Sequence, residues 1–114
     1  MPLTFYYGSG SPFAWRVWLS LEHKALPYEF KLLSFDAKDT QKPEFLALNP
    51  RGQVPVVTDG DFAIYESAVI PEYLEDRYPA ADAAHALFQK DAQQRALARR
   101  LAHDFLLGVA RILD

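Results

Sequence analysis

Apolar and polar residues alternate in LTFYY (3–7), and that two-residue period predicts a first strand. GSGSP (8–12) breaks the pattern as a turn, and Ser11-Pro12 opens a helix. Serine is a strong N-cap, and proline fits the first helical position, where no N–H is needed. Along FAWRVWLSLEHK (13–24), Ala14, Val17, Trp18 and Leu21 fall on one stripe of helical period. ALP (25–27) ends that helix, YEFKLLSF (28–35) predicts a second strand, and PEFLALN (43–49) a short helix closed by Pro50. VPVVTDGDFAIY (54–65) reads as a hairpin, two apolar runs about the turn pair Asp59-Gly60. ESAVIPEYLEDRY (66–78) predicts a helix with Val69, Ile70, Tyr73, Leu74 and Tyr78 facing inward, stopped by Pro79. The order β-α-β then β-β-α predicts an α/β domain around a mixed sheet.

From about residue 80 the pattern changes. PAADAAHALFQ is rich in alanine, and the remainder reads as one long helix. In it Leu97, Leu101, Phe105 and Val109 recur every fourth residue, with Leu106 and Leu113 beside them. The stripe is broader than one contact with the preceding unit would cover, and it is still running at RILD with no C-cap signal. The expectation is a chain that ends early, inside a longer helical domain. On that reading residues 1–79 are one domain, 80–86 a linker, and 87–114 the first helix of the second. Helix 87–113 is then expected to pair with another copy or with further helices, through Leu101, Phe105 and Val109.

Composition narrows the chemistry. Twelve basic against fifteen acidic residues give the 114-residue chain a net charge of −3, which argues against nucleic acid or an anionic membrane as partner. No apolar run approaches a membrane span, and MPLTFYYGSG lacks the basic and apolar regions of a signal peptide, so a cytoplasmic location is expected. The arginines of RALARR (95–100) read as a solvated helix face. Cysteine is absent, which removes disulfides, cysteine-ligated zinc and protein-thiol redox chemistry. Any sulfur chemistry must arrive with a ligand. His23, His85 and His103 are scattered without metal-binding spacing, and no metal is expected.

NPRGQVPVV (49–57) raises a sharper question. Val56 and Val57 suit a buried strand, yet Pro55 at its mouth brings no N–H to a ladder. Either the proline merely starts the strand, or its bend exposes the backbone of Val54 to a ligand.

Three segments, SPFAWRVWLSLEHKALPYE (11–29), NPRGQVPVV (49–57) and YESAVIPEYLEDRYP (65–79), together resemble the cytosolic glutathione transferase family, in its serine-type classes. The match runs over essentially all of residues 1–79, in order and spacing, and 80–114 look like that family's linker and first helix of its all-helical domain. The resemblance implies a thioredoxin-like βαβ-ββα domain with a four-stranded mixed sheet, followed by an all-α domain, usually in a homodimer. It implies a cis bond before Pro55, with Val54 pairing its backbone to glutathione.

By the same resemblance Ser11 takes the place of the serine that activates glutathione. A free thiol titrates near pKa 8.5, so little is ionised at neutral pH. A helix N-terminus and a hydroxyl donor both favour the thiolate. A serine hydroxyl can accept a capping bond and still donate its proton. Ser9 is the alternative donor, with Tyr6 and Tyr7 behind it, and Ser11 as a plain N-cap is the plainer reading. Glu66 and Ser67 are implied to hold the γ-glutamyl end: a carboxylate suits the ammonium group, and a hydroxyl at a helix start suits the α-carboxylate. Alone, the pair would serve equally as a capping signal. Gln53 is implied to reach the glycine end, with Lys42 as a second candidate.

The sequence departs from the family pattern twice. Ala25 stands where glycine is common, so a left-handed cap there carries strain. Pro71 inside the 66–78 helix would lose a bond to residue 67 and bend the Ser67 site. The reading is glutathione transfer to a small soft electrophile, with no nucleic acid or membrane partner. The second domain largely lines the electrophile pocket in this family, so these residues alone are expected to be inactive. The rivals are a non-catalytic binding or assembly module and a glutathione-dependent isomerase or dehalogenase.

Overall fold

Leu3, Phe5 and Tyr7 point inward along β1 (Leu3–Gly8), the two-residue alternation becoming one buried face. The structure, a computed structural model, describes residues 2–8, 10–80, 82, 85–88 and 90–113, and in the last helix the side chains of 92–101 and 103. After β1 come α1 (Pro12–His23), β2 (Glu29–Leu33), a 3-10 turn (Asp39–Gln41) and α2 (Pro43–Leu46). Then follow β3 (Val56–Asp59), β4 (Phe62–Tyr65), α3 (Val69–Arg77) and α4 (Ala92–Leu113). The four-stranded sheet has the order β2-β1-β3-β4, with β1 parallel to β2 and antiparallel to β3, and β3 antiparallel to β4. It is mixed, as the element order predicts. Leu3, Phe5 and Val57 from the sheet meet Ala14, Val17 and Leu21 of α1 and Ile70 and Leu74 of α3 in one core. On the other face Phe45 of α2 packs edge-on against Tyr6.

Expected and observed boundaries differ where local chemistry decides. The hairpin loop is Gly60-Asp61, not Asp59-Gly60: Asp59 still pairs with Phe62, and Gly60 takes the left-handed φ of 62°. Asp59 has a further role, accepting bonds from the Tyr73 hydroxyl at 2.7 Å and the Tyr78 hydroxyl at 3.0 Å. Burial, then the Asp59 carboxylate, pushes the Tyr73 phenol up to about 12.

Helix α3 begins at Val69, three residues later than the pattern suggests. Pro71 therefore lies in the first turn, where a missing N–H forfeits no intrahelical bond, and the expected loss to residue 67 does not arise. The shift also turns Val69 outward, 46% exposed, rather than into the core. Trp18 is likewise half-exposed: its ring stacks on Phe30 at the sheet edge, and its Nε1 donates to the Tyr28 hydroxyl at 2.8 Å.

The end of α1 matches the expected strain. Ala25 has φ 55°; its N–H bonds to Glu22 O at 3.0 Å, and that of Leu26 to Leu21 O at 3.1 Å. These are the two bonds of a Schellman cap, made here by a residue with a Cβ. Ala25→Gly should raise unfolding stability by about 0.5–1 kcal/mol. A chemical denaturation midpoint unchanged or lower in that variant would contradict the assignment.

The segment after α3 is held by one carboxylate. Glu75 Oε1 lies 2.6 Å from Lys24 Nζ, and Glu75 Oε2 accepts from the N–H groups of Leu87 at 2.7 Å and Phe88 at 2.9 Å. Helix α4 starts at Ala92 rather than 87, because Asp91 Oδ2 caps it through the Gln94 N–H at 2.9 Å. The arginines of this helix are not simply a solvated face. Arg95 and Arg99 lie over the Phe88 ring, and Arg99 Nε stands 2.6 Å from Glu72 Oε1. Leu97 and Leu101 are exposed, 53% and 71%, as the broad stripe predicts; Phe105, Leu106, Val109 and Leu113 lie outside the described side chains. Among the described residues no helix is long and apolar enough to cross a membrane.

Candidate functional site

The loop before β3 is built by Asn49, which is 2% exposed. Its Oδ1 accepts from the Arg51 N–H at 3.0 Å, its backbone carbonyl from the Gly52 N–H at 2.9 Å, and its Nδ2 donates to Gln53 O at 2.9 Å. This Asx-type turn throws the chain round in five residues. Gly52 completes it with φ 63°, packed so closely that an added Cβ would stand 2.9 Å from the Thr40 carbonyl oxygen. The Val54–Pro55 bond in the next step of the chain is cis.

A cleft of about 290 Å³ opens beside this turn. Gln53, Val54 and Pro55 form one wall, and Glu66 and Ser67 face them from the start of α3. All five residues that the resemblance assigns to glutathione binding line this one concavity. Phe13, Asn49 and Arg51 complete it. Glu66 is held at φ 84°, a region that costs a residue with a side chain about 1–3 kcal/mol and clusters at ligand sites. No side chain caps α3, and Glu66 O instead accepts from the N–H groups of Val69 and Ile70, both at 3.0 Å.

Reasoning from sequence missed Arg51, whose Nη1 bonds Glu66 Oε1 at 2.6 Å. Both side chains are more than half exposed, so the pair is screened and exchangeable. A guanidinium thus occupies the carboxylate that an incoming ammonium group would seek. The asparagine was also missed, although Asn-Pro before a glycine is a recognisable turn signal.

Ser11 caps α1 as expected: its Oγ accepts from the Ala14 N–H at 3.2 Å, leaving its own proton to donate. It is not among the lining residues; Phe13, two positions on, is the nearest of them in sequence. Ser9 lies outside the described residues. Tyr7 is buried, and its hydroxyl accepts from Trp15 Nε1 at 2.7 Å. Tyr6 faces the other side of the sheet, against Phe45. Lys42 does not line the cleft; its Nζ is 2.7 Å from Asp39 Oδ1, and that hydrogen bond raises the amine and lowers the carboxylate. Among the described residues no cluster of His, Asp or Glu has the geometry to hold a metal ion.

A thioredoxin-like domain with a peptide-sized cleft before its cis-proline strand defines the class. Residues 10–77, more than half the chain, match the family model described as the glutathione S-transferase N-terminal domain. The chain belongs to the glutathione S-transferase family. Glutathione S-transferase 1 of Dianthus caryophyllus is 40% identical over 95 residues, covering 83% of this chain and 41% of that protein. Among solved structures, a glutathione S-transferase from the Antarctic clam Laternula elliptica superposes with a TM-score of 0.74 at 45% identity, over 84% of this chain and 42% of that one. A glutathione transferase homolog from Drosophila mojavensis, crystallised with bound glutathione, gives 0.73 at 35% identity, over 83% and 42%. The chain thus spans under half the length of these relatives.

Proposed function

We propose that this chain is the glutathione-binding part of a glutathione transferase, which activates the glutathione thiol as thiolate for attack on a small soft electrophile. The observation that carries the reading is the convergence of Gln53, Val54, Pro55, Glu66 and Ser67, drawn from two separate segments, on one cleft. The relatives' names and the glutathione bound in the Drosophila mojavensis homolog support the same ligand. Residues 1–79 are the binding domain, 80–86 its linker, and α4 belongs to a helical second domain. Homodimers in the cytoplasm are the setting.

In this mechanism Val54 meets the ligand's cysteinyl main chain through backbone hydrogen bonds, as an added strand would. Glu66 takes the γ-glutamyl ammonium, releasing Arg51, and Ser67 takes the α-carboxylate beside the uncapped start of α3. Gln53 reaches the glycine end. The thiol is then directed to the N-terminus of α1, where the Ser11 hydroxyl and the positive end of the helix favour the thiolate. That sulfur forms a bond to the electrophile's carbon. The electron pair of the bond broken there passes to a leaving group or to the adjoining atom of a double bond, and the thiol proton leaves to solvent.

Ser11→Ala should raise the pKa of bound glutathione thiol by about one unit, which corresponds to about 1.4 kcal/mol. In the whole protein, with its helical second domain, conjugation at neutral pH should fall about tenfold, with glutathione affinity nearly unchanged, because the peptide part is held elsewhere. Ultraviolet titration of thiolate in the complex reads this directly, and an unchanged thiol pKa in the variant would reduce Ser11 to a helix cap.

A further inference from the structure

We propose that Arg51 reads the charged end of the ligand: it occupies Glu66 in the free chain and, displaced by the ligand's ammonium group, bonds the carboxylate on the same carbon. The inference rests on the glutathione reading and adds to it a specificity-determining residue that the resemblance does not assign. Arg51 and Glu66 are the charged residues among those lining the cleft, and they are paired at 2.6 Å. Their side chains are 63% and 51% exposed, so water and an incoming charge both reach the pair. The backbone beneath Arg51 is fixed, its N–H donating to the Asn49 Oδ1 at 3.0 Å. Its guanidinium lies over the Tyr65 ring, 6.0 Å from the centroid, a cation–π contact that keeps it at the cleft when Glu66 changes partner.

The γ-glutamyl end of glutathione carries an ammonium and a carboxylate on one carbon. Seating the ammonium on Glu66 therefore brings the carboxylate beside whatever cation adjoins Glu66, and that cation is Arg51. The Ser67 hydroxyl offers a carboxylate one donor, whereas a carboxylate has two oxygens with room for several. A guanidinium fork fills the remainder with geometry that a point charge lacks. One ion pair is exchanged for two, and the cleft stays electrically balanced throughout. A ligand with the ammonium alone breaks that balance: it competes with Arg51 for Glu66 and gives the guanidinium nothing in return. Arg51 thus acts in opposite directions on the two kinds of ligand, supporting the zwitterion and opposing the bare cation.

NMR titration of the 114-residue chain, followed at the Val54 and Ser67 amides, tests this with two ligands. One is glutathione; the other is 4-aminobutanoyl-cysteinylglycine, which keeps the ammonium and lacks the neighbouring carboxylate. Arg51→Ala should weaken glutathione about fivefold, the scale of an exposed ion pair. The same substitution should tighten the second ligand about twofold, because a competitor for Glu66 is gone and no carboxylate contact is lost. Lys31→Gln removes one positive charge over the Tyr6 ring, on the sheet's outer strand, and should move neither constant. Arg51 is a surface side chain, and circular dichroism checks the fold of each variant. A merely structural role for Arg51 would weaken both ligands alike. Glutathione affinity unchanged by Arg51→Ala, an analogue affinity that does not rise, or the same pattern from Lys31→Gln would overturn the proposal and leave glutathione binding standing. An unmodified chain that binds no glutathione would remove the proposal together with the reading beneath it.

Discussion

Glu75→Ala is expected to lower unfolding stability by about 3–5 kcal/mol, the cost of breaking a buried ion pair from one side. A domain of this size has about 5–15 kcal/mol in all, so the variant stands near the limit of folding. The loss has two parts. Lys24 is left with a side chain 2% exposed and no counter-charge, and the N–H groups of Leu87 and Phe88 lose their acceptor. Lys24→Met combined with Glu75→Gln should recover much of it, since no unpaired ammonium remains and the amide oxygen still accepts from the linker. Burial alone would raise the Glu75 carboxyl, but the hydrogen bonds from Lys24, Phe88 and Leu87 outweigh it and the net shift is downward. Its stabilisation is therefore complete above the ordinary value of 4.5 and is lost as pH falls through the lowered folded value. Denaturant midpoints for the three proteins, at neutral pH and in acid, decide between this account and a merely peripheral salt bridge.

Gly52→Ala should cost about 2–3 kcal/mol, from a left-handed residue with a Cβ and from overpacking. The new Cβ would lie 2.7 Å from Gln41 Nε2 and 2.9 Å from the Thr40 carbonyl oxygen. The glutamine side chain can swing away, whereas the carbonyl is backbone and must move with its turn. Because Gly52 sits between Asn49 and Gln53, that movement is passed to the cleft wall. Glutathione affinity should fall about tenfold or more, as calorimetry would show, whereas Ala25→Gly, remote from the cleft, should leave affinity intact. A Gly52→Ala protein of full stability and affinity would remove the claim that this turn shapes the site.

Local signals carried most of the framework. Ser11-Pro12 marks the start of α1 because capping is decided by neighbouring residues, and alternation marks β1 and the hairpin. The cleft residues were readable only because three segments matched a family pattern in order. What escaped depends on partners far apart in sequence. Lys24 and Glu75 are 51 positions apart, and neither residue's surroundings announce the pair. Arg51 looks like any exposed loop cation until Glu66 comes to face it. Val69 fell on the inward stripe because the period was counted from Glu66, whereas the positive φ of Glu66 delays the helix. The start of α4 slipped for a similar reason: Asp91 is a better cap than anything near 87.

The central claim is that the cleft between residues 49–55 and 66–67 holds glutathione. The most direct measurement is an NMR titration of the isotope-labelled chain with glutathione, following each backbone amide. Saturable shifts are predicted at Gly52, Gln53, Val54, Glu66 and Ser67, with the Arg51 side-chain resonance moving as Glu66 changes partner. Saturable binding that left these amides unmoved, or no shift anywhere at millimolar glutathione, would contradict the account.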